Sequence, residues 1–271
     1  MLPSTLSDAQ EARLNAIVSA LSSDPRFIAI SASGSFASNQ LDRYSDLDLT
    51  LVIEPDAYEE VMASRFHILE HIDGITACFT GEHVGEPRLV ISIFSPDATH
   101  VDFKFASLDD AAVRVDDPVI VWERDTRYRE RLDASTASYP YPEPQWLEDR
   151  IWIWVHYAAT KIARGEYFES LGFLSFIRNT VLGPMALRQN GMTPSGVRKL
   201  EERLQEFAVE LKGTVAGADR QSLTTALHKC IELYEDLIAN ESIDRNEAAK
   251  RLSLDYLKNV LSEESINGHS Q

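Results

Sequence analysis

Residues 30–53 read Ile-Ser-Ala-Ser-Gly-Ser-Phe-Ala-Ser-Asn-Gln-Leu-Asp-Arg-Tyr-Ser-Asp-Leu-Asp-Leu-Thr-Leu-Val-Ile. The alternation from Asp46 to Leu49, with the apolar run after it, predicts a β-strand that begins at Asp46. Because residues i and i+2 of a strand point to the same face, Asp46 and Asp48 would lie side by side, and Leu47 and Leu49 would face the other way. Two adjacent carboxylates repel each other, and a bound divalent cation such as Mg²⁺ is the usual reason to hold them together.

Upstream of this strand lies the pair Gly34-Ser35, which follows an apolar run and is separated from Asp46 by ten residues. A Gly-Ser turn can offer backbone N–H groups and a hydroxyl to an anion. An anion-binding turn beside a carboxylate pair indicates nucleotide-dependent phosphoryl or nucleotidyl transfer.

The composition narrows the class of protein. The chain has 271 residues, is 44% hydrophobic and carries a net charge of −17. Such a charge disfavours a nucleic-acid partner and favours a cationic substrate, although solubility alone would also explain it. Two cysteines are too few for a disulfide scaffold. We identify no signal peptide and no apolar run long enough to span a membrane, so we expect a cytoplasmic enzyme without a membrane partner.

The first half of the chain mixes strand and helix patterns. Residues 38–44 are expected to form a short helix or loop, and residues 81–87 a polar loop. The turn at 95–98 joins two strands that we expect to form a hairpin. The predicted strands cover 26–32, 46–53, 75–80, 88–94, 99–106 and 118–122, and the predicted helices cover 6–22 and 55–71.

The second half is helical in pattern and follows a proline-rich linker over residues 139–144. Gly183-Pro184 is expected to kink the second of its helices. The prediction is therefore an α+β protein in which an N-terminal mixed-sheet domain precedes a C-terminal helical bundle. The predicted helices cover 145–164, 167–189, 194–212, 220–240 and 245–262, and the domains cover 1–138 and 145–262, with a disordered tail over 263–271.

A third carboxylate occurs in the second strand of the predicted hairpin, Val101-Asp102-Phe103-Lys104-Phe105. Alternation places Asp102 and Lys104 on one face of this strand and the apolar residues on the other. A solvated sheet face would also explain this pattern. The order of the three motifs along the chain favours a functional site over a solvated sheet face.

The order Gly34-Ser35, Asp46-Leu47-Asp48-Leu49 and Val101-Asp102-Phe103 resembles the DNA polymerase β-like nucleotidyltransferase superfamily. The resemblance spans about residues 28–106. It implies that Asp46, Asp48 and Asp102 hold two Mg²⁺ ions and carry the catalysis. It also implies that Gly34 and Ser35 bind the phosphates of a nucleoside triphosphate.

Further candidates for nucleotide binding are Ser45, Lys104 and Lys161. Lys104 could pair with the triphosphate or simply neutralise the carboxylates. Lys161 could contact the triphosphate, or be a solvated base near the C-terminus of its helix. For the general base, relatives of this superfamily use either the third strand carboxylate or a glutamate of the helical domain. Asp102 is our first choice, and Glu166 or Glu169 is the second.

Within the superfamily, the chain looks most like the bacterial aminoglycoside and antibiotic nucleotidyltransferases of the adenylyltransferase branch. Residues 119–125 resemble the strand that closes the catalytic domain there, and residues 161–170 resemble a helix–turn–helix segment. The resemblance implies Mg²⁺-dependent transfer of AMP from ATP to a hydroxyl of a small, aminoglycoside-like acceptor, with a role in antibiotic resistance. Two alternatives stay open: modification of a protein partner, and a non-catalytic nucleotide-binding module.

Overall fold

The computed structural model describes residues 2–262, which divide into two compact units between Tyr139 and Pro140. The first unit contains a six-stranded mixed sheet with helices, and the second is helical throughout. This architecture confirms the predicted α+β class. The expected disordered tail, residues 263–271, lies outside the described residues. Within residues 2–262, no helix combines the length and the apolar character that a membrane span requires.

The strands of the first unit lie close to the ranges that the alternation predicts. The main difference is that β4 begins at Glu86, inside the predicted polar loop, after a single 3-10 turn over 82–84. The strands are β1 (Phe27–Ala32), β2 (Leu47–Ile53), β3 (Ile75–Gly81), β4 (Glu86–Phe94), β5 (Thr99–Ser107) and β6 (Val119–Glu123).

The strand order is β3-β4-β5-β2-β1-β6, and each neighbouring pair is antiparallel except β2 and β5. The predicted hairpin of β4 and β5 is present. The parallel pair β2 and β5 occupies the middle of the sheet, in a register that places Asp48 opposite Asp102. The two central strands therefore bring together the two acidic motifs of the sequence.

Both faces of the sheet are partly covered by helices. On one face, α1 and α3 contribute Leu14, Ile17 and Val61 to a cluster that includes Leu49 and Phe103. On the other face, α4 and α5 cover a smaller cluster. The helix α5 is not predicted from the sequence. The helices of this unit are α1 (Asp8–Ser22), α2 (Gly34–Ala37), α3 (Tyr58–Leu69), α4 (Leu108–Ala112) and α5 (Arg127–Asp133).

The second unit has its own apolar core, centred on two long helices. Its helices are α6 (Pro144–Ala163), α7 (Tyr167–Ile177), α8 (Gly183–Gln189), α9 (Leu200–Arg203), α10 (Gln205–Leu211), α11 (Arg220–Ile238) and α12 (Glu247–Ser262).

Two predicted helices of this unit are interrupted. The helix predicted over 167–189 contains a π-helical turn, Arg178–Leu182, directly before Gly183-Pro184. Because proline has no N–H to donate, the regular hydrogen-bond ladder cannot continue through it. The helix predicted over 194–212 is wrong. Gly196 and Lys199 have positive φ angles, and the regular segments begin only at Leu200.

A buried carboxylate joins the helices of the second unit. Glu148 on α6 is 1% exposed and accepts hydrogen bonds from Trp152 Nε1 (2.9 Å), the Tyr234 hydroxyl (2.6 Å) and the Asn246 amide (3.0 Å). Arg245 Nε lies 3.4 Å from its Oε2 atom. Burial opposes the charge of Glu148, but these donors outweigh burial and lower its pKa. The network ties α6 to α11 and to the start of α12.

Candidate active site

Three carboxylates meet at one end of the central strands. Asp46 directly precedes β2, Asp48 is the second residue of β2, and Asp102 lies opposite Asp48 on β5. One oxygen from each carboxylate lies within 4.8 Å of the others, and all three side chains are half-buried. Within residues 2–262, no other three His, Cys, Asp or Glu side chains come together in this way. The alternation of two strands and their parallel register therefore place three acidic groups on one face.

The loop that leads into Asp46 is fixed from α1. The side chain of Gln10 is 6% exposed, and its Nε2 atom donates to the carbonyl oxygens of Asp42 (3.1 Å) and Ser45 (3.3 Å). The Ser45 hydroxyl donates to Asp42 Oδ1 (3.0 Å) and accepts from the Asp42 amide (2.9 Å). Ser45, predicted to bind nucleotide, thus closes the turn that presents Asp46.

The surroundings of Asp102 disfavour its charged form. Burial raises the pKa of Asp102, and the negative charge of Asp46 raises it further, against the opposing effect of His100. The side chain of Asp102 is 19% exposed. A divalent cation among the three carboxylates would remove this repulsion, and carboxylate oxygens are the ligands that Mg²⁺ prefers.

His100 is a member of this site that the sequence analysis misses. Its Nε2 atom lies 2.8 Å from Asp102 Oδ1. The signal is present in the sequence, because His100 precedes Asp102 by two residues on a strand and so shares its face. His100 therefore holds one oxygen of Asp102 at a defined position.

Gly34 approaches Asp48 so closely that a Cβ atom there would force the Asp48 carboxylate to shift. A Cβ atom at this position would lie 2.6 Å from Asp48 Oδ2, and the backbone has a φ of +62°. The chain is anchored there by the Ser33 amide, which donates to the Asp48 carbonyl (3.0 Å). The Gly34 amide donates to Asp116 Oδ2 at 3.3 Å. The Gly34-Ser35 pair opens the short helix α2, so the predicted anion-binding turn lies next to the carboxylates.

Lys104 shares the face of Asp102, as predicted, but has a partner of its own. Its Nζ atom lies 3.5 Å from Glu86 Oε2, and Glu86 also accepts from Arg88 Nη2 at 2.7 Å. Lys104 therefore belongs to a cross-strand ion pair between β4 and β5.

The remaining candidates lie in the second unit, around the turn between α6 and α7. Lys161 Nζ donates to Glu166 Oε2 at 2.6 Å, and the Tyr157 hydroxyl donates to Glu169 Oε1 at 2.7 Å. The hydrogen bond from Lys161 lowers the pKa of Glu166, which makes Glu166 a weaker base. The structure thus pairs Lys161 with Glu166.

No family model and no curated protein matches the sequence. Several solved structures resemble the chain, and three of them are described here. An aminoglycoside 6-adenyltransferase from Bacillus subtilis is 15% identical, with 95% of this chain and 98% of that chain covered and a TM-score of 0.35. A nucleotidyltransferase-like protein from Exiguobacterium sibiricum is 12% identical, with 90% and 78% covered and a TM-score of 0.40. A STING-associated CdnE c-di-GMP synthase from Capnocytophaga granulosa is 14% identical, with 86% and 81% covered and a TM-score of 0.32.

Proposed function

We propose that the protein is a Mg²⁺-dependent nucleotidyltransferase that transfers AMP from ATP to a hydroxyl of a small molecule. The observation that carries this proposal is the meeting of Asp46, Asp48 and Asp102 within 4.8 Å, beside a glycine turn. Carboxylates on one side and a backbone anion site on the other are what a metal-bound triphosphate requires.

The donor set fits Mg²⁺. All three groups supply oxygen, and a Cβ atom at Gly34 would displace the Asp48 carboxylate. Asp46, Asp48 and Asp102 would hold the metal. When bound, Mg²⁺ would neutralise phosphate charge and lower the pKa of the attacking hydroxyl.

The other roles follow from the positions of the groups. The Gly34 amide and Ser35 would bind the terminal phosphates and so orient the α-phosphorus toward the carboxylates. The acceptor oxygen forms a bond to the α-phosphorus, and the bond from phosphorus to the pyrophosphate oxygen breaks. The hydroxyl proton passes to a base, for which Asp102 is our first choice.

Asp102 suits the role of base because it lies in the carboxylate cluster where the attacking hydroxyl would bind. The contact with His100 Nε2 orients the group. Glu169 remains the second candidate, with its carboxylate held by the Tyr157 hydroxyl. Glu166 is less suited, since Lys161 already neutralises it.

The acceptor that we propose is a small cationic polyol of the aminoglycoside class, and the biological role is antibiotic resistance. The net charge of −17 supports a cationic acceptor, because it attracts positive ligands and repels polyanions such as nucleic acid.

The test is pyrophosphate release by the purified full-length protein with Mg²⁺, each nucleoside triphosphate and a panel of aminoglycosides. Asp46→Asn and Asp48→Asn should each lower the rate by about 100-fold or more, since each removes a charge that holds the metal. Mn²⁺ binding followed by electron paramagnetic resonance gives a second readout. Melting in EDTA checks folding, and Asp46→Asn should melt no lower than the wild type because it relieves repulsion with Asp102.

The outcomes separate the parts of the proposal. Nucleotide and Mn²⁺ binding without pyrophosphate release would reject the acceptor class, and mass spectrometry of co-expressed proteins would then test for a nucleotide added to a protein. A folded protein that binds neither nucleotide nor metal would overturn the enzyme itself.

A further inference from the structure

A cavity of about 290 Å³ lies in the second unit, between α6 and α7. Trp154 of α6 forms one wall, and the rest is formed by α7. The four residues of α7 follow the spacing i, i+3, i+4 and i+7, so they form a single stripe along that helix. They are Glu169, Gly172, Phe173 and Phe176.

The walls of the cavity are aromatic. The rings of Trp154 and Phe176 meet edge to face with centroids 5.1 Å apart, and the rings of Phe173 and Phe176 stack at 5.5 Å. Phe176 remains 39% exposed. Ring faces that stay open to water present the negative side of the aromatic quadrupole, which attracts cations.

A carboxylate stands at the same cavity. Glu169 lines it, and the hydroxyl of Tyr157 donates to Glu169 Oε1 at 2.7 Å. The ring of Tyr157 in turn contacts Phe173, with centroids 4.8 Å apart. The cavity therefore combines aromatic faces with one oriented negative charge, which is the complement of an organic cation.

The surrounding aromatic surface already binds cations of the chain itself. The Arg150 guanidinium lies 4.0 Å from the ring centroid of Trp146, and the Trp146 ring contacts Trp154. Lys161 Nζ lies 5.2 Å from the ring centroid of Tyr157. Within the part of the chain that the structure describes, no lysine or arginine stacks on Trp154, Phe173 or Phe176. The cavity thus lies between two cation–π contacts, and its own rings have no such partner among residues 2–262.

Gly172 forms an open part of this lining. A Cβ atom built there meets nothing within 4 Å, although glycine inside a helix costs about 1 kcal/mol relative to alanine. The cavity volume of about 290 Å³ is close to the lower limit of about 300 Å³ for ligand pockets, which suits the head group of a ligand rather than a whole large molecule.

We propose that this cavity binds a small organic cation that carries an alkylated ammonium group. The cation would contact the faces of Trp154, Phe173 and Phe176, and Glu169 would supply the counter-charge. The inference goes beyond the proposed transferase activity, and its test requires neither nucleotide nor Mg²⁺, so the two can fail separately.

The test compares choline with 3,3-dimethyl-1-butanol, which has the same shape but no charge. Binding to the full-length protein is measured by calorimetry and by ligand-observed nuclear magnetic resonance. We expect choline to bind at least about fivefold more tightly, the factor that cation–π attraction typically contributes. Equal binding of the two compounds would show that the cavity does not recognise the charge and would overturn the proposal. The absence of choline binding would also overturn it.

Gly172 provides a matched pair of variants. Gly172→Leu should fill the cavity and weaken choline binding by about tenfold or more, whereas Gly172→Ala should leave the affinity within about twofold. Both substitutions raise helix propensity, so the two variants differ mainly in the volume that they place in the cavity. Glu169→Gln, which keeps an acceptor for Tyr157, should weaken binding by about threefold. Unchanged affinity in Gly172→Leu, with a cooperative melt, would place the binding elsewhere and reject the site.

Discussion

At the scale of single residues, the contact between Gly34 and Asp116 affects the turn that we propose to bind a phosphate. The Gly34 amide donates to a carboxylate oxygen of Asp116, which occupies the position that we propose for a phosphate. Asp116 follows Arg114, whose guanidinium donates to the carbonyl oxygens of Leu132 (3.1 Å) and Ser135 (3.1 Å) and so fixes the segment. A nucleotide would have to displace a like-charged group that is held beside it.

We therefore expect Asp116→Asn to bind ATP more tightly than the wild type, by about threefold to fivefold, because the variant removes a competing charge. Calorimetry with Mg²⁺ and ATP measures the change, and the gain should shrink at high salt. Asp56→Asn, with the same charge change at an exposed site after β2, should bind as the wild type does. Weaker binding in Asp116→Asn would instead make Asp116 part of the nucleotide site.

Glu86 leads to a prediction about acid stability. The hydrogen bond from Arg88 lowers the pKa of Glu86 to about 2 from its usual 4.5, with burial opposing the shift and Lys104 supporting it. A carboxylate with a lowered pKa stabilises the fold at pH values above 4.5. This contribution is lost as the pH falls from 4.5 to 2, because protonation then favours the unfolded chain.

Glu86→Gln should accordingly lower the free energy of unfolding by about 1–2 kcal/mol at pH 6, a value reduced from the full shift because the pair is partly exposed. Near pH 2 the variant and the wild type should be equally stable. Urea unfolding at a series of pH values measures the difference. A difference that stays constant across this range would mean that the loss comes from packing and not from charge.

At the scale of elements, local sequence patterns predict the strands and the faces of their side chains, but they do not predict which strands pair. The alternation around Asp48 and Asp102 predicts two strands and the face of each carboxylate, since side-chain direction depends only on the strand itself. The parallel pairing of β2 with β5 joins segments about 50 residues apart and is set by long-range packing, which no local pattern contains.

The same reason explains what the sequence analysis misses. His100 shares the alternation of Asp102, so its place on the face is predictable, but its contact with that carboxylate depends on side-chain geometry. The break of the helix predicted over 194–212 depends on tertiary contact. A Cβ atom at Gly183 would lie 2.2 Å from the carbonyl oxygen of Gly196, so two distant segments pack backbone to backbone there.

A substitution at Glu148 tests how much its hydrogen-bond network contributes to joining the helices of the second unit. Glu148→Gln keeps the shape of the side chain but removes the charge that accepts from Tyr234 and faces Arg245. We expect the free energy of unfolding to fall by about 2–3 kcal/mol, because the buried acceptor of the hydrogen bonds from Trp152, Tyr234 and the Asn246 amide loses its charge. Asp149→Asn, an exposed neighbour on α6, should change it by less than about 0.5 kcal/mol. Equal effects of the two variants in chemical unfolding would contradict a specific role for the buried carboxylate.

At the scale of the whole molecule, each of the two units is stabilised by its own apolar core. The first is built on a sheet whose apolar clusters lie within residues 14–132, and the core of the second lies within residues 147–257. The carboxylate cluster belongs wholly to the first unit and the aromatic cavity wholly to the second. Each unit therefore contains both a core and a candidate site.

Because each core is self-contained, we expect residues 1–139 and residues 140–271 to fold when expressed as separate chains. Each fragment should unfold cooperatively in urea with a free energy of about 5 kcal/mol or more, the lower range for domains of this size. The first fragment should bind Mn²⁺, and the same fragment with Asp46→Asn and Asp48→Asn should not. A fragment that lacks a cooperative transition under conditions where the full chain is folded would show that its core depends on the other unit. Loss of Mn²⁺ binding in a folded 1–139 fragment would show that the metal site needs residues beyond the three carboxylates.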